Sequence, residues 1–412
     1  MKLEIERKYL IKNMPSLNNV SKIEYERYFI SNDLDSQIRV QRKNDIYEIE
    51  KKIKLEKNQF KKEKTRISQD EFYQLIKGCK NKVIRDSYFI SKNPDITIKI
   101  YHGAYEGLRR AEVEFHTMEE FEAFQKLDWF GKEITNDKIG SDAGLITLSR
   151  EEFLSRILDE NERIDDLEIN SLKMIQNKEY FCFGMDSILL ANFIESNSNH
   201  NMIMDFCSGS GVIPVIISAK KKYQKIVGVE LQNEMFDLFV KNIAINHLSD
   251  KIMPIQSDIK EIQNIRRFLL EHFDRDNVDI IVCNPPYKSI GTGVQNENTI
   301  KYVARHEVYC KLEDIFSSAS KLLRSKGKLY LVHKPDRLVD LLSIARNYRL
   351  EAKRIRFVHP KLDKSASIVL IEYLKDGGSE VNIQNPLIEY DINDEYTSEI
   401  YSIYGKKEKE NG

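Results

Sequence analysis

The sequence predicts two folds in succession: a mainly β, antiparallel barrel with a polar lumen over residues 1–148, then an α/β doubly wound sheet over residues 169–404. Three observations predict this. The chain has 412 residues, more than one ordinary core organises. Its first third is built of short runs in which charged and apolar residues alternate with period two, the pattern of strands. From about Asn201 the pattern becomes continuous apolar runs alternating with helical stretches, the rhythm of a mostly parallel sheet.

Composition narrows the class. Charged residues make up 31% and hydrophobic ones 41%, with a net charge of −1. The five cysteines are scattered without CxxC or Cys/His spacing, so neither a zinc site nor a disulfide framework is expected. No apolar signal segment follows Met1 and no stretch is long and apolar enough to span a bilayer, so a cytoplasmic protein with no membrane partner is expected. Lys321–Lys364 holds 13 Lys or Arg against 4 Asp or Glu, an excess of nine positive charges. Such an excess suits a phosphate backbone, and it equally suits a solvated face.

In the first third, KLEIERKYLI, SQIRVQRKNDIYEIEKKI, DITIKIYHG and RRAEVEFHT read as strands. Glu4, Glu6 and Lys8 fall on one face, with next-but-one residues about 7 Å apart. Glu112 and Glu114 repeat the device. Paired carboxylates this close call for a cation, and Mg2+ takes a few carboxylates together with phosphate oxygens. Arg39, Arg42, Lys51, Lys52, Lys62 and Arg85 add positive charge on other strands. The two alternatives are a solvated charged face and a lumen built for a polyphosphate. Residues 149–168 read as an acidic helical connector, and residues 405–412 as a disordered tail.

In the second part, the strand NMIMDF ends in Asp205, followed by Cys207, Ser208, Gly209 and Gly211 and then the apolar helix VIPVIISA. Glycines there permit a sharp turn and close approach to a ligand. Glu230 ends the next strand, where a carboxylate can accept ribose hydroxyls, and Asp258 ends the third, where one can accept an amine. Asn284-Pro-Pro-Tyr287 ends the fourth. An exocyclic aromatic amine is a poor nucleophile because its lone pair is delocalised. The Asn284 oxygen and a backbone carbonyl, accepting from that NH2, draw it toward tetrahedral geometry. Pro285 and Pro286 shape the loop, and Tyr287 offers a face on which a flipped-out base can stack.

With Phe183-Gly-Met-Asp-Ser-Ile-Leu-Leu-Ala191, Ala304-Arg-His-Glu307, Val332-His-Lys-Pro-Asp-Arg-Leu338 and Lys353-Arg-Ile-Arg-Phe-Val-His-Pro-Lys361, these motifs make residues 162–404 resemble class I methyltransferases. They closely resemble the bacterial tRNA(Val) adenine-N6 methyltransferase family, which modifies the adenosine 3′ of the anticodon. The turn DFCSGSG stands where relatives more often carry DLGTGNG. The resemblance implies a seven-stranded Rossmann-like sheet and S-adenosylmethionine held near Phe183, Asp205, Ser208, Gly209, Gly211, Glu230 and Asp258. It also implies tRNA contacts at Arg305, His306, Lys334, Arg337, Lys353, Arg354 and Arg356. The rival within this fold is the family that methylates a glutamine amide in release factors, which also uses an NPPY loop.

Residues 1–148 resemble the CYTH, or triphosphate tunnel, domain through ExExK, Glu106-Gly-Leu, Ala111-Glu-Val-Glu114 and Trp129-Phe-Gly-Lys-Glu-Ile-Thr135. The resemblance implies metal (Mg2+) at Glu4, Glu6, Glu112 and Glu114. It also implies a polyphosphate or nucleoside triphosphate on Lys8, Arg39, Lys51 and Arg85. Two positions depart from the family: the RxR pair reads Arg39-Val-Gln41, and Lys99 stands where an Asp is usual. The tunnel therefore either hydrolyses a triphosphate or only binds one. Two further functions remain open at this stage, a chain that is chiefly a triphosphatase and a tRNA-binding adaptor.

Overall fold

The computed structural model describes residues 5–32, 36–54, 60–180, 182–195, 202–220, 225–287 and 310–405. The chain divides into two compact units, Met1–Glu160 and Asn161–Gly412.

The first unit is one antiparallel sheet. Its strands are β1 (Ile5–Ile11), β2 (Lys22–Asn32), β3 (Ser36–Lys43), β4 (Ile46–Lys54), β5 (Phe60–Arg66), β6 (Lys82–Lys92), β7 (Asp95–His102), β8 (Arg109–Phe115) and β9 (Phe130–Glu133), in the order β5-β4-β3-β2-β6-β7-β8-β1-β9. Register explains its two faces. Lys8 lies opposite Glu112 and Glu6 opposite Glu114, Lys99 opposite Arg110, and Arg39 opposite Glu50, so these charges share one side. The other side carries the buried Tyr9, Ile98, Ala111, Val113 and Phe130. Among the described residues the ladder ends at β5 and β9 without joining them, so this is an open-edged sheet around a cavity rather than a closed barrel. Helices α1 (Gln69–Leu75), α2 (Met118–Ala123), α3 (Asp142–Leu145) and α4 (Arg150–Arg156) complete the unit.

Residues 149–168 do not form one helical connector. Helix α4 ends at Arg156 and belongs to the first unit, with Phe153 and Leu154 buried. Glu162–Asp166 is instead a strand, β10, paired antiparallel with β11 (Lys173–Asn177). The acidic run is helical only as far as α4. Beyond it, backbone partners decide. Asn242, fully buried, accepts from Ile175 N at 2.6 Å and donates to Ile175 O at 3.1 Å. Asn246 does the same for Lys173, at 2.9 and 2.7 Å. Each amide acts as a strand edge and satisfies a backbone pair of β11.

The second unit is a mixed sheet of β12 (Met202–Phe206), β13 (Lys225–Glu230), β14 (Ile252–Gln256), β15 (Val278–Cys283), β16 (Leu323–His333), β17 (Leu350–His359) and β18 (Ile368–Lys375), in the order β14-β13-β12-β15-β16-β18-β17. The first five are parallel, and β18 runs antiparallel to both neighbours. Two short additions, β19 (Asn382–Ile383) and β20 (Leu387–Ile388), pair with β17 and widen the expected seven strands to nine. Strands β12 and β15 are buried throughout, which accounts for their unbroken apolar runs. One face is covered by α5 (Met185–Phe193), α6 (Val212–Lys220) and α7 (Asn233–Ile245). The other is covered by α8 (Ile262–Phe273), α9 (Leu312–Leu322) and α10 (Leu338–Asn347). This is a class I methyltransferase-like fold. No described helix is long and apolar enough to cross a membrane.

Candidate active site and anion cavity

Sequence order reverses between β13-β12 and β12-β15, so a crevice opens at the carboxyl ends of these strands, the usual ligand position in an open α/β sheet. A pocket of about 110 Å³ lies there. Its walls include Phe183, Ser187, Ser208, Gly209, Glu230, Asp258, Asn284 and Pro286. Gly209 and Gly211 both have positive φ, at +55° and +82°, and a Cβ on Gly211 would sit 1.9 Å from Phe239 Cδ2. The turn thus follows both from backbone freedom and from lack of room.

Glu230 ties the turn down. One carboxylate oxygen accepts from Gly209 N at 2.7 Å, the other from Gln232 N at 2.8 Å. Burial raises its pKa against those hydrogen bonds. Asp258 accepts from Lys260 N at 2.9 Å and pairs with its ammonium at 3.3 Å. Asp205 departs from expectation. It is fully buried at the end of β12, does not line the pocket, and neither carboxylate oxygen has a hydrogen-bond partner. Burial pushes its pKa well above the ordinary value, and nearby Glu230 adds to the rise. Gly211 also lies off the pocket wall and acts through the turn.

Asn284 lines the pocket, with its amide held from both ends. Nδ2 donates to Ser187 Oγ at 2.9 Å, and Oδ1 faces the Tyr287 hydroxyl, which also lies 3.0 Å from Asp186 Oδ2. That hydroxyl has one proton, so it donates to one of the two acceptors at a time. Tyr287 and Pro285 are not on the pocket wall. The Tyr287 ring meets His333 edge-on at 5.3 Å, and Lys334 Nζ stands 5.6 Å from its centroid. In this structure the tyrosine braces Asn284 rather than presenting a bare stacking face. The FGMDSILLA motif drew attention to Asp186 and Ser187, but sequence reasoning gave neither a role.

The fold also gathers cysteines far apart in sequence. Cys207 and Cys310 line the pocket with sulfurs 3.8 Å apart, and all five cysteines are free thiols.

The basic strip is largely neutralised within the fold. Arg354 bonds Glu195 at 2.7 Å, Glu372 at 2.9 Å and Phe193 O at 2.7 Å. Arg356 is held bidentately by Glu399 at 2.6 and 2.7 Å. Acids distant in sequence already pair with both. Lys353 bonds Gly378 O at 3.1 Å, and Arg337 pairs with Asp340 at 2.7 Å. Lys334 is exposed. Arg305 and His306 lie outside the described residues.

The first unit holds a cavity of about 640 Å³ that opens to solvent. Lys8, Arg27, Arg39, Lys52, Lys64, Arg85, Lys99 and Arg110 line it, with Glu6, Glu50, Glu112, Glu114 and Asp142. Lys8, Arg39 and Arg85 are where they were expected. Lys51 is not. It is exposed and lies opposite Ile38, while Glu50 and Lys52 face inward. The strand's period of two puts the neighbouring lysine in the cavity. Gln41, in the place of a second arginine, accepts from Arg27 at 2.9 Å and donates to Glu48 at 2.9 Å. Sequence reasoning missed Arg27, Glu50, Arg110 and Asp142. Asp142, at the start of the short helix α3, takes Arg27 at 2.6 Å, Arg85 at 3.1 Å, Arg110 at 3.2 Å and the Tyr101 hydroxyl at 2.6 Å.

Glu6, Glu112 and Glu114 each place an oxygen within 4.8 Å of the others, a spacing a cation could use. Each oxygen of Glu112 is already claimed, however, Oε1 by Arg110 at 2.9 Å and Oε2 by Lys99. Glu6 pairs with Lys8 at 2.8 Å. Burial opposes ionisation of Glu112, yet Lys99 and Arg110 hold its carboxyl far below the usual carboxylate range. Glu4 lies outside the described residues.

Comparison with known proteins agrees with the fold of the second unit. Residues 190–276 match the TRM5/TYW2 methyltransferase domain. The chain is 27% identical over 193 residues to a tRNA1(Val) (adenine(37)-N6)-methyltransferase of Porphyromonas gingivalis, covering 46% of this chain and 73% of that protein. It is 22% identical over 216 residues to the protein of that name from Flavobacterium johnsoniae, covering 52% and 88%. Among solved structures, an inorganic triphosphatase is matched at 21% identity, 36% and 97% coverage and a TM-score of 0.31. The chain is an S-adenosylmethionine-dependent methyltransferase.

Proposed function

We propose that the second unit transfers a methyl group from S-adenosylmethionine to N6 of an adenine in tRNA, the adenosine 3′ of the anticodon of tRNA(Val). The observation that carries this is Asn284 on the pocket wall, its amide held by Ser187 on one side and Tyr287 on the other. The similarity to the named tRNA methyltransferases supports the choice of substrate. The cofactor supplies an electrophilic sulfonium methyl. The site suits such a ligand: Glu230 and Asp258 present carboxylates on the pocket wall, and behind it, off the wall, Asp205 is a buried acid whose oxygens have no hydrogen-bond partner. To work on the substrate, Asn284 Oδ1 exchanges the Tyr287 hydroxyl for the adenine amine, while Ser187 keeps the amide plane fixed. Accepting from that NH2 localises the nitrogen lone pair. As the N–C bond forms and the S–C bond breaks, the nitrogen releases its extra proton. No side chain with a tuned pKa is required; the residues position and polarise.

The test is transfer from labelled S-adenosylmethionine to bulk tRNA from cells lacking adenine-N6 methylation, followed by nucleoside analysis. Labelled N6-methyladenosine is expected. Label in a release factor instead, with none in tRNA, would move the assignment to glutamine. Glu230→Ala is expected to weaken cofactor binding by roughly tenfold or more, because it removes a buried acceptor and frees the Gly209 N–H. Calorimetric titration with S-adenosylhomocysteine checks this, and unchanged affinity would remove Glu230 from the cofactor site.

For the first unit, we propose that the cavity takes a polyphosphate or the triphosphate of a nucleotide. Eight basic side chains converging on one cavity support this.

A further inference from the structure

The geometry points to a cavity in the first unit that binds a polyphosphate chain without a divalent metal and leaves it unhydrolysed. This rests on the polyphosphate assignment and deepens it.

The three clustered carboxylates would be the place for a metal, and a divalent cation there needs oxygen lone pairs directed at it. Both Glu112 oxygens already face a cation. Oε2 meets the Lys99 ammonium and Oε1 the Arg110 guanidinium. Neither cation is placed by chance. Strand pairing sets Lys99 of β7 directly opposite Arg110 of β8, two residues from Glu112. Arg110 is further pinned by Ile139 O at 2.8 Å and Asp142 at 3.2 Å. Admitting a metal at Glu112 would set a doubly charged ion against Lys99 and the buried Arg110, or exchange it for one of them at their shared partner. The cost of leaving buried charges unpaired opposes that exchange.

The charge balance already favours an anion. Among the described residues eight basic side chains and five carboxylates line the cavity, and with burial lowering the Lys99 ammonium pKa to about 7 the excess is two to three positive charges. A chain of linked phosphates matches that excess without any added ion. Hydrolysis would need an activated water, and four of the five lining carboxylates are already committed to cations. Asp142 holds three arginines, Glu112 two cations, Glu50 both Arg39 and Lys64, and Glu6 holds Lys8.

The test uses the full chain and inorganic tripolyphosphate, titrated calorimetrically in EDTA and again in Mg2+, with phosphate release measured on the same samples. We expect binding in EDTA, no tightening by Mg2+ and no phosphate release. Arg39→Gln is expected to weaken binding about tenfold, since one charge-assisted hydrogen bond is lost. Lys99→Gln, which leaves Glu112 Oε2 open, is expected to introduce Mg2+-dependent tightening; circular dichroism on each variant reports whether it is folded. Wild-type binding that Mg2+ strengthens tenfold or more (roughly 1.4 kcal/mol), or Mg2+-dependent phosphate release, overturns metal independence while the polyphosphate assignment stands. No binding under either condition, with the chain folded, overturns both.

Discussion

Replacing Asn284 with alanine is expected to lower kcat by about 10²–10³, the usual loss when one preorganised polar contact to the reacting group is removed. Affinity for S-adenosylhomocysteine should hardly change. The side chain is only one part of the pocket wall, and the contacts that close the turn, Glu230 to Gly209 and Gln232, do not involve it. The split between the two measurements is diagnostic. A matching loss of cofactor affinity would mean that Asn284 shapes the pocket instead of polarising the amine. Ser187→Ala provides a graded control. It deletes only the acceptor of Nδ2, 2.9 Å away, and leaves Oδ1 in place, so kcat should fall far less than in Asn284→Ala. Equal losses would mean that fixing the amide plane matters as much as the oxygen itself.

The contrast between these two residues shows what a sequence makes legible. Asn284 was visible because chemistry demands an amide beside a proline-shaped loop at a strand end. Ser187 was not, since its importance lies in reaching Asn284 from 97 residues away. The same division runs through the molecule. Strands β12, β13 and β15 are legible because buried parallel strands are continuously apolar, whereas the Phe239 ring that leaves no room for a Cβ at Gly211 comes to light only in the fold. Sequence alone does not separate Lys51 from Lys52, because which of two neighbours faces inward depends on register, which composition does not give. Arg354 and Arg356 looked like free cations because Glu195 and Glu399, 159 and 43 residues away, meet them only in the fold. The acidic segment before β10 has helical character in sequence, but Asn242 and Asn246 supply the edge that makes β11, and β10 beside it, possible as strands. Asp142 lay hidden in a four-residue helix with no motif of its own.

Asp142→Asn is expected to destabilise the first unit by about 3–5 kcal/mol, the scale for breaking a buried ion network by removing one partner. Three guanidiniums would lose their common counter-charge while remaining buried. Arg27 already shows the strain of crowding: burial, with Arg85 beside it, lowers its pKa to about 10 even with Asp142 present. In the full chain this should appear as a drop of roughly 8–15 °C in the melting transition of the first unit. The pH dependence follows from the same network. Against the penalty of burial, Arg85, Arg27 and Arg110 depress the Asp142 carboxyl well below its ordinary 3.8. The folded state therefore holds fewer protons than the unfolded one, and this stabilisation is complete above that ordinary value. It is lost as pH falls below about 4 toward the depressed folded value. Wild type should lose stability steeply in that window, and Asp142→Asn should lose the part of that slope due to this group. If the cavity binds polyphosphate, the variant also makes a second prediction. Tripolyphosphate in EDTA supplies the missing negative charge, so it should raise the melting temperature of Asp142→Asn more than that of wild type. An equal shift in both would mean that the bound chain does not reach the Asp142 arginines, placing its seat nearer Arg39, Lys52 and Lys64.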